Sequence, residues 1–259
     1  MPSVDFRNEV QERIAAMRTD EVLRTSGHAF MEASTAPKYS YNFEWQGRPI
    51  IQYPQDIVAM QELIWNIKPD LIIETGIAHG GSLIFSASML ALLDMCEAIE
   101  LGSSLDPRKS DRRVLGVDID IRSHNRVAIE AHPMSSRIQM IQGSSIDPSV
   151  IAQVREIARD FKRILICLDS NHTHEHVLAE LNAYASLTSV GSYCVVFDTV
   201  IEDFSATMYP DRPWGPGNNP KTAVWEFLET NKRFKIDKDL EAKLSITVAP
   251  DGYLVCTAD

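Results

Sequence analysis

The fold is decided by residues 70–82, Asp70-Leu-Ile-Ile-Glu74-Thr-Gly-Ile-Ala-His-Gly-Gly-Ser82. A short apolar run rich in β-branched residues breaks here into a turn carrying Gly76, Gly80 and Gly81. Four further runs of the same kind follow, at Arg113–Asp118, Arg137–Gln142, Arg163–Asp169 and Ser192–Asp198. They are nearly continuous rather than alternating, as strands buried on both faces of a parallel sheet are. Amphipathic stretches over 82–98, 124–132, 148–161 and 174–187 separate them, the third opened by Asp147-Pro148 with proline at the first helical position. With no internal repeat, this β-α series predicts an α/β fold: a doubly wound, mostly parallel, Rossmann-like sheet.

Outward from that series the pattern changes. Residues 204–220 hold Pro210, Pro213, Pro216, Pro220, Gly215 and Gly217 and read as a loop, followed by a helix over 219–231. Leu244–Val248 and Tyr253–Thr257 flank Ala-Pro-Asp-Gly, which predicts an antiparallel hairpin closing the sheet. At the other end, a helix over 5–24 precedes a segment dense in aromatics: Tyr39, Tyr41, Phe43, Trp45 and Tyr53. Residues 1–54 are therefore expected to be a helical extension that covers the sheet, lines a pocket or makes a subunit contact in a homo-oligomer. Residues 55–259 are expected to form the cofactor-binding catalytic domain.

Lys and Arg number 25 against 36 Asp and Glu, a formal charge of −11, which argues against a broad phosphate-tracking surface and hence against nucleic acid as a partner. The apolar runs are too short to predict a transmembrane segment. Residues 1–9 show neither the basic nor the apolar region of a secretory signal, so a cytoplasmic location is expected. Cys96, Cys167, Cys194 and Cys256 form no C-x-x-C pair and read as reduced residues, three of them within apolar runs.

Ligands of open α/β sheets bind beyond the carboxyl ends of the strands. After the first strand, Glu74, Gly76, His79, Gly80 and Ser82 are candidate cofactor contacts, with Ser82 placed to cap the next helix. The spacing is not G-x-G-x-x-G and lacks the lysine of a P-loop. A tight strand-to-helix turn alone would also look like this. Asp118 ends the second strand, where an acid accepts hydrogen bonds from ribose hydroxyls. Ser144 and Ser145 follow the third and are candidates for an adenine edge. Together these ends suggest S-adenosylmethionine more than NAD.

The fourth strand ends in Asp169-Ser-Asn-His172-Thr-His174-Glu-His176, and the fifth in Asp198 with Glu202 and Asp203 beyond. Two carboxylates on neighbouring strand ends can converge on a hard cation, Mg²⁺ or Mn²⁺. His172 can share that site. His174 and His176 read either as solvated residues of a helix N-terminus or, for His174, as an acceptor contact. Asp169 is also a candidate cofactor contact. The histidines do not fit the His-x-His-x-Asp-His pattern of zinc hydrolases. The loop from Tyr209 to Pro220 reads as a lid, with Trp214 a surface on which a sugar ring could stack.

Glu74–Ser82, Gly116-Val-Asp-Ile-Asp-Ile-Arg122, Leu168-Asp-Ser-Asn-His172 and Ala249-Pro-Asp-Gly-Tyr253 resemble the cephalosporin hydroxylase / rhamnosyl O-methyltransferase family over roughly residues 40–257. The resemblance implies a class I methyltransferase fold, Asp169 and Asp198 as metal ligands and His172 as general base. Relatives place an acid directly beside the second ligand, whereas here its neighbours are Phe197 and Thr199, which leaves Glu202 or Asp203 as the third ligand. The expected activity is methylation, by S-adenosylmethionine with Mg²⁺ or Mn²⁺, of a hydroxyl on a sugar, glycan or glycosylated natural product. A non-heme iron oxygenase would want two histidines and one carboxylate and a jelly-roll strand pattern that is missing. A cofactor-binding protein without turnover is the other alternative.

Overall fold

The five apolar runs fold as parallel strands in the computed structural model, which describes residues 3–258. In chain order the elements are α1 (Val4–Thr19), α2 (Glu21–Thr35), β1 (Phe43–Trp45), β2 (Arg48–Ile50), α3 (Pro54–Ile67), β3 (Leu71–Thr75), α4 (Gly81–Leu101), β4 (Arg113–Asp118) and α5 (Ser123–Glu130). There follow β5 (Ile138–Gln142), α6 (Pro148–Ala158), β6 (Ile164–Leu168), α7 (His174–Tyr184), β7 (Tyr193–Val196), α8 (Pro220–Thr230), β8 (Phe234–Ile236), α9 (Lys238–Leu244) and β9 (Tyr253–Cys256).

The main sheet has the order β5-β4-β3-β6-β7-β9-β8, with β3 to β7 parallel and β9 antiparallel to both neighbours. From β3 the chain winds one way to β4 and β5, then returns to β6 on the other side. The connections therefore diverge between β3 and β6 and leave a crevice at their carboxyl ends. Two apolar layers sandwich the sheet. Ile72, Val114 and Leu165 face α3 and α4, while Leu71, Ile73 and Ile166 face α6, α7 and α8. α4 is long and apolar enough, by length and composition, to cross a membrane, but Leu83, Ile84, Ala87 and Leu90 are buried in the first layer. Its hydropathy is that of a core helix.

Two expectations are corrected. The single helix over 5–24 is two helices, because the Asp20 carboxylate accepts from the Leu23 N–H at 2.9 Å and caps α2. Within the aromatic segment, Gln46 and Gly47 both take positive φ, 46° and 80°, the requirement of a tight two-residue turn, and so β1 pairs with β2. The predicted C-terminal hairpin has the wrong partner. Leu244–Val248 is not a strand, and β9 instead pairs with β7 on one side and β8 on the other. β8, three residues long, is too short to read by alternation.

Leu244–Val248 stays out of the sheet because a buried carboxylate holds it. Asp56 of α3 accepts from the Val248 N–H at 3.1 Å, from the Tyr253 hydroxyl at 2.7 Å and from the Thr247 hydroxyl. Burial pushes its carboxyl up to about 6, against the lowering effect of those three donors. Replacing Asp56 by Ala strands three buried donors. The expected loss is about 3 kcal/mol, a fall in Tm of roughly 5–10 °C in thermal unfolding, with a smaller loss for Asp56→Asn. An unchanged Tm for the alanine variant would show that α3 and β9 hold together without this clasp.

Candidate functional site

At the β3/β6 crevice lies a cavity of about 470 Å³, walled on one side by the β3 turn and Asp118 and on the other by Tyr41, Tyr53, Tyr209 and Trp214. The parallel register delivers its acidic residues. Leu168 pairs with Val196, so Asp169 and Asp198 leave adjacent strands almost level. The Phe197 N–H donates to the Leu168 carbonyl at 3.0 Å, extending the ladder, and Asp198 then turns into the left-handed region at φ 56°. A side chain at position 252 would collide with the Val196 carbonyl, so glycine there lets the β9 approach close under Asp198.

Asp169, His172 and Asp198 each offer a ligand atom, all within 4.8 Å of one another. His172 Nε2 stands 3.3 Å from Asp198 Oδ2, and the Trp214 ring meets the imidazole edge-on at 4.8 Å between centroids. Burial and the neighbouring Asp198 and Glu74 carboxylates hold the Asp169 carboxyl well above the usual range. Gln52, which the sequence reading missed, donates to Asp169 Oδ2 at 3.4 Å, while its own Oε1 is buried without a partner among the described residues. Two carboxylates and an imidazole suit a divalent cation, and an orphaned amide oxygen beside them suits a bound ligand with a donor to offer.

The cofactor-side candidates divide. Gly76, at φ 90°, brings the turn against the Asp169 carbonyl where any side chain would clash. Gly76, His79 and Ser82 line the cavity; Gly80, φ 83°, caps α4 from behind it, where a side chain would meet Ile129. Asp118 lines it too, with Oδ2 accepting from the Ile77 and Ala78 N–H groups at 2.7 and 3.2 Å and Oδ1 from Asp120. The turn is thus shaped by the acid expected to meet the ribose. Ser82 does not cap α4: its hydroxyl donates to the buried Glu74 carboxylate.

Other candidates lie elsewhere. Ser144 and Ser145 are not part of the cavity lining; Ser145 is buried with its hydroxyl 3.1 Å from His176 Nε2. His176 also neighbours Ser170 and the fully buried Glu180, so it is a packed residue rather than a solvated one. His174 is not part of the cavity lining, and its ring nitrogens engage Thr222 and Glu226 on α8 at 2.8 and 3.0 Å. Glu202 is outside the ligand cluster. Its carboxylate accepts from the Gly217 N–H at 2.7 Å and from Asn219, and Asp203 is paired with Lys221 at 2.6 Å. With His174 and His176 committed elsewhere, the cluster has one imidazole and not the two of an iron facial triad.

The family model described as Rhamnosyl O-methyltransferase/CmcI matches residues 37–257. A rhamnosyl O-methyltransferase of Mycobacterium tuberculosis (strain ATCC 25618 / H37Rv) is 29% identical over 202 residues, 77% of this chain and 72% of that one. That of Mycobacterium leprae (strain TN) is 27% identical over 213 residues, 82% of each. Among solved structures, the Mg-SAM structure of CmcI superposes with a TM-score of 0.55 at 18% identity, covering 84% of this chain and 78% of that one. The apo structure of CalS11, a TDP-rhamnose 3'-O-methyltransferase in calicheamicin biosynthesis, gives 0.50 at 14% identity, covering 100% and 97%. At such identities the structural likeness concerns the fold.

Behind the site, burial raises the Glu74 carboxyl to about 8, opposed by the Ser82 hydroxyl and aided by Asp118. The folded chain keeps this proton between its ordinary range, near 4.5, and about 8, while the unfolded chain loses it. The group's contribution to stability is therefore complete below that window and declines as pH rises through it. Glu74→Gln cannot ionise and escapes the decline. In thermal unfolding with chelator present, the variant should gain on the wild type between pH 5 and pH 8, by on the order of 2 kcal/mol. Parallel pH profiles would show that Glu74 is ionised in the fold at neutral pH.

Proposed function

This chain belongs to the rhamnosyl O-methyltransferase/CmcI family and is an O-methyltransferase, and we propose that it transfers the methyl group of S-adenosylmethionine, with Mg²⁺ or Mn²⁺, to a hydroxyl of a sugar or glycosylated acceptor. The observation that carries the reading is the Asp169–His172–Asp198 cluster sharing one cavity with the glycine turn and Asp118. The rhamnosyl substrates named for the mycobacterial relatives and for CalS11 support a sugar acceptor. The Mg and SAM of the CmcI structure support the cofactor and the metal.

Asp169 and Asp198 are the residues to hold the cation, because Mg²⁺ takes oxygen ligands and needs only one or two carboxylates beside water and substrate. When bound, it lowers the pKa of the acceptor hydroxyl as a Lewis acid. Asp118 and the backbone of the Gly76–Gly81 turn hold the cofactor. His172 then takes the hydroxyl proton as the oxygen attacks the methyl carbon, and the sulfonium leaves as the neutral thioether of S-adenosylhomocysteine. Asp198, 3.3 Å from His172 Nε2, stabilises the imidazolium that forms, and Trp214 packs against the ring and fixes its orientation.

The test is release of S-adenosylhomocysteine from a sugar acceptor. His172→Gln should lower kcat by ~10²–10⁴ with cofactor affinity unchanged in calorimetry. Chelator should abolish turnover and Mg²⁺ restore it in the wild type, but not in Asp169→Asn or Asp198→Asn. Asp118→Ala should weaken cofactor binding more than metal binding. Full turnover in chelated wild type would remove the metal from the mechanism.

A further inference from the structure

The acceptor end of the cavity carries two cations that the mechanism leaves unused. Lys38 and Arg212 both line it. They are the lysine and arginine side chains that line it among the described residues, and neither takes part in an ion pair there. Each is held on an aromatic ring instead. Lys38 Nζ lies 5.6 Å from the Tyr41 centroid, and the Arg212 guanidinium 5.1 Å from that of Trp214. The two come from distant segments that meet at this rim, where Thr35 and Lys38 line the same cavity as Tyr209 and Arg212.

The arrangement reaches the reacting centre through one ring. Trp214 is shared: Arg212 stands over it and His172 meets it edge-on. An anion on Arg212 is therefore one indole away from the proposed base. Asp118, Asp169 and Asp198 line the rest of the cavity, so the rim is its part that favours an anion.

We propose that Lys38 and Arg212 form an anion subsite, so that the acceptor carries a carboxylate or phosphoryl group one aromatic ring from the hydroxyl that is methylated. The proposal rests on the methyl-transfer reading above for the position of that hydroxyl, but the subsite itself can be tested without it. Charge-assisted contacts of this kind are worth about tenfold or more each. They weaken with salt while the cation–π supports persist.

The experiment has two arms. The first compares kcat/KM for methyl α-L-rhamnoside, methyl β-D-glucuronide and thymidine-diphosphate-rhamnose, in wild type and in Lys38→Gln and Arg212→Gln. Expected is a preference of about tenfold or more for one charged acceptor over the neutral one, which each substitution erodes; the preferred acceptor tells carboxylate from diphosphate. An equal response to charged and neutral acceptors, or a preference intact in both variants, overturns the proposal. The second arm titrates pyrophosphate and glucuronate against tryptophan fluorescence of wild type and the double variant. Binding lost in the variant sustains the subsite even if no acceptor is methylated, in which case the methyl-transfer reading alone fails. Equal titrations in both proteins overturn the subsite whatever the turnover.

Discussion

Mutual repulsion between Asp169 and Asp198 is the constraint around which the site is built. Their strands are hydrogen-bonded neighbours, and the register leaves no freedom to separate them. Burial first, and then the like charge of Asp198, hold the Asp169 carboxyl well above its usual range, and such a pair favours a proton or a cation between them. Glu74 lies buried beneath on β3. Its own burial keeps it protonated through neutral pH, which spares the site a third full charge. The positive field that such a cluster invites has to come from outside the chain at the floor of the cavity. Among the described residues that line the cavity, the lysine and arginine side chains are Lys38 and Arg212, both at the rim.

A second constraint runs through the backbone. The β3 turn must pass within contact of the Asp169 carbonyl, which only a residue without Cβ permits at Gly76, and must begin α4 against Pro49, which only glycine permits at position 81. Asp118 then clamps the turn through two N–H groups. The β3 turn, Asp118 and Asp169 are thereby fixed relative to one another. Small side-chain changes at the rim leave that geometry in place.

Sheet, winding and strand ends were legible because parallel strands buried on both faces write continuous apolar runs, and because ligand positions follow from strand termini. Asp169, His172 and Asp198 could be singled out for that reason. What escaped was held by side chains rather than by periodicity. Asp56 diverts Leu244–Val248 from the sheet, and no local pattern records a carboxylate almost two hundred residues away. Glu202 looked like a ligand because it follows Asp198 closely. A short 3₁₀ turn after Asp198 carries it instead toward Gly217 and Asn219. His174 and His176 share a helix N-terminus with opposite surroundings, one on α8 and one against Ser145, a distinction set by tertiary packing alone.

The N-terminal segment and the loop before α8 are unlike in origin and alike in function, because each is fastened to the catalytic edge at its base. Arg48 of β2 donates to the His79 carbonyl and to Asn125, and Trp45 of β1 donates to Ser88 of α4. The hairpin is thus tied to the cofactor turn from outside. On the opposite wall, Glu202 gathers Gly217 and Asn219, and Asp203 holds Lys221, so the proline-rich loop is secured where it returns to α8. The free span of each wall is the part that carries a cation, Lys38 on one and Arg212 on the other. Rim and floor are thus built from different parts of the fold: the rim cations come from the two walls, and the Asp169–His172–Asp198 cluster comes from the strand ends of the sheet.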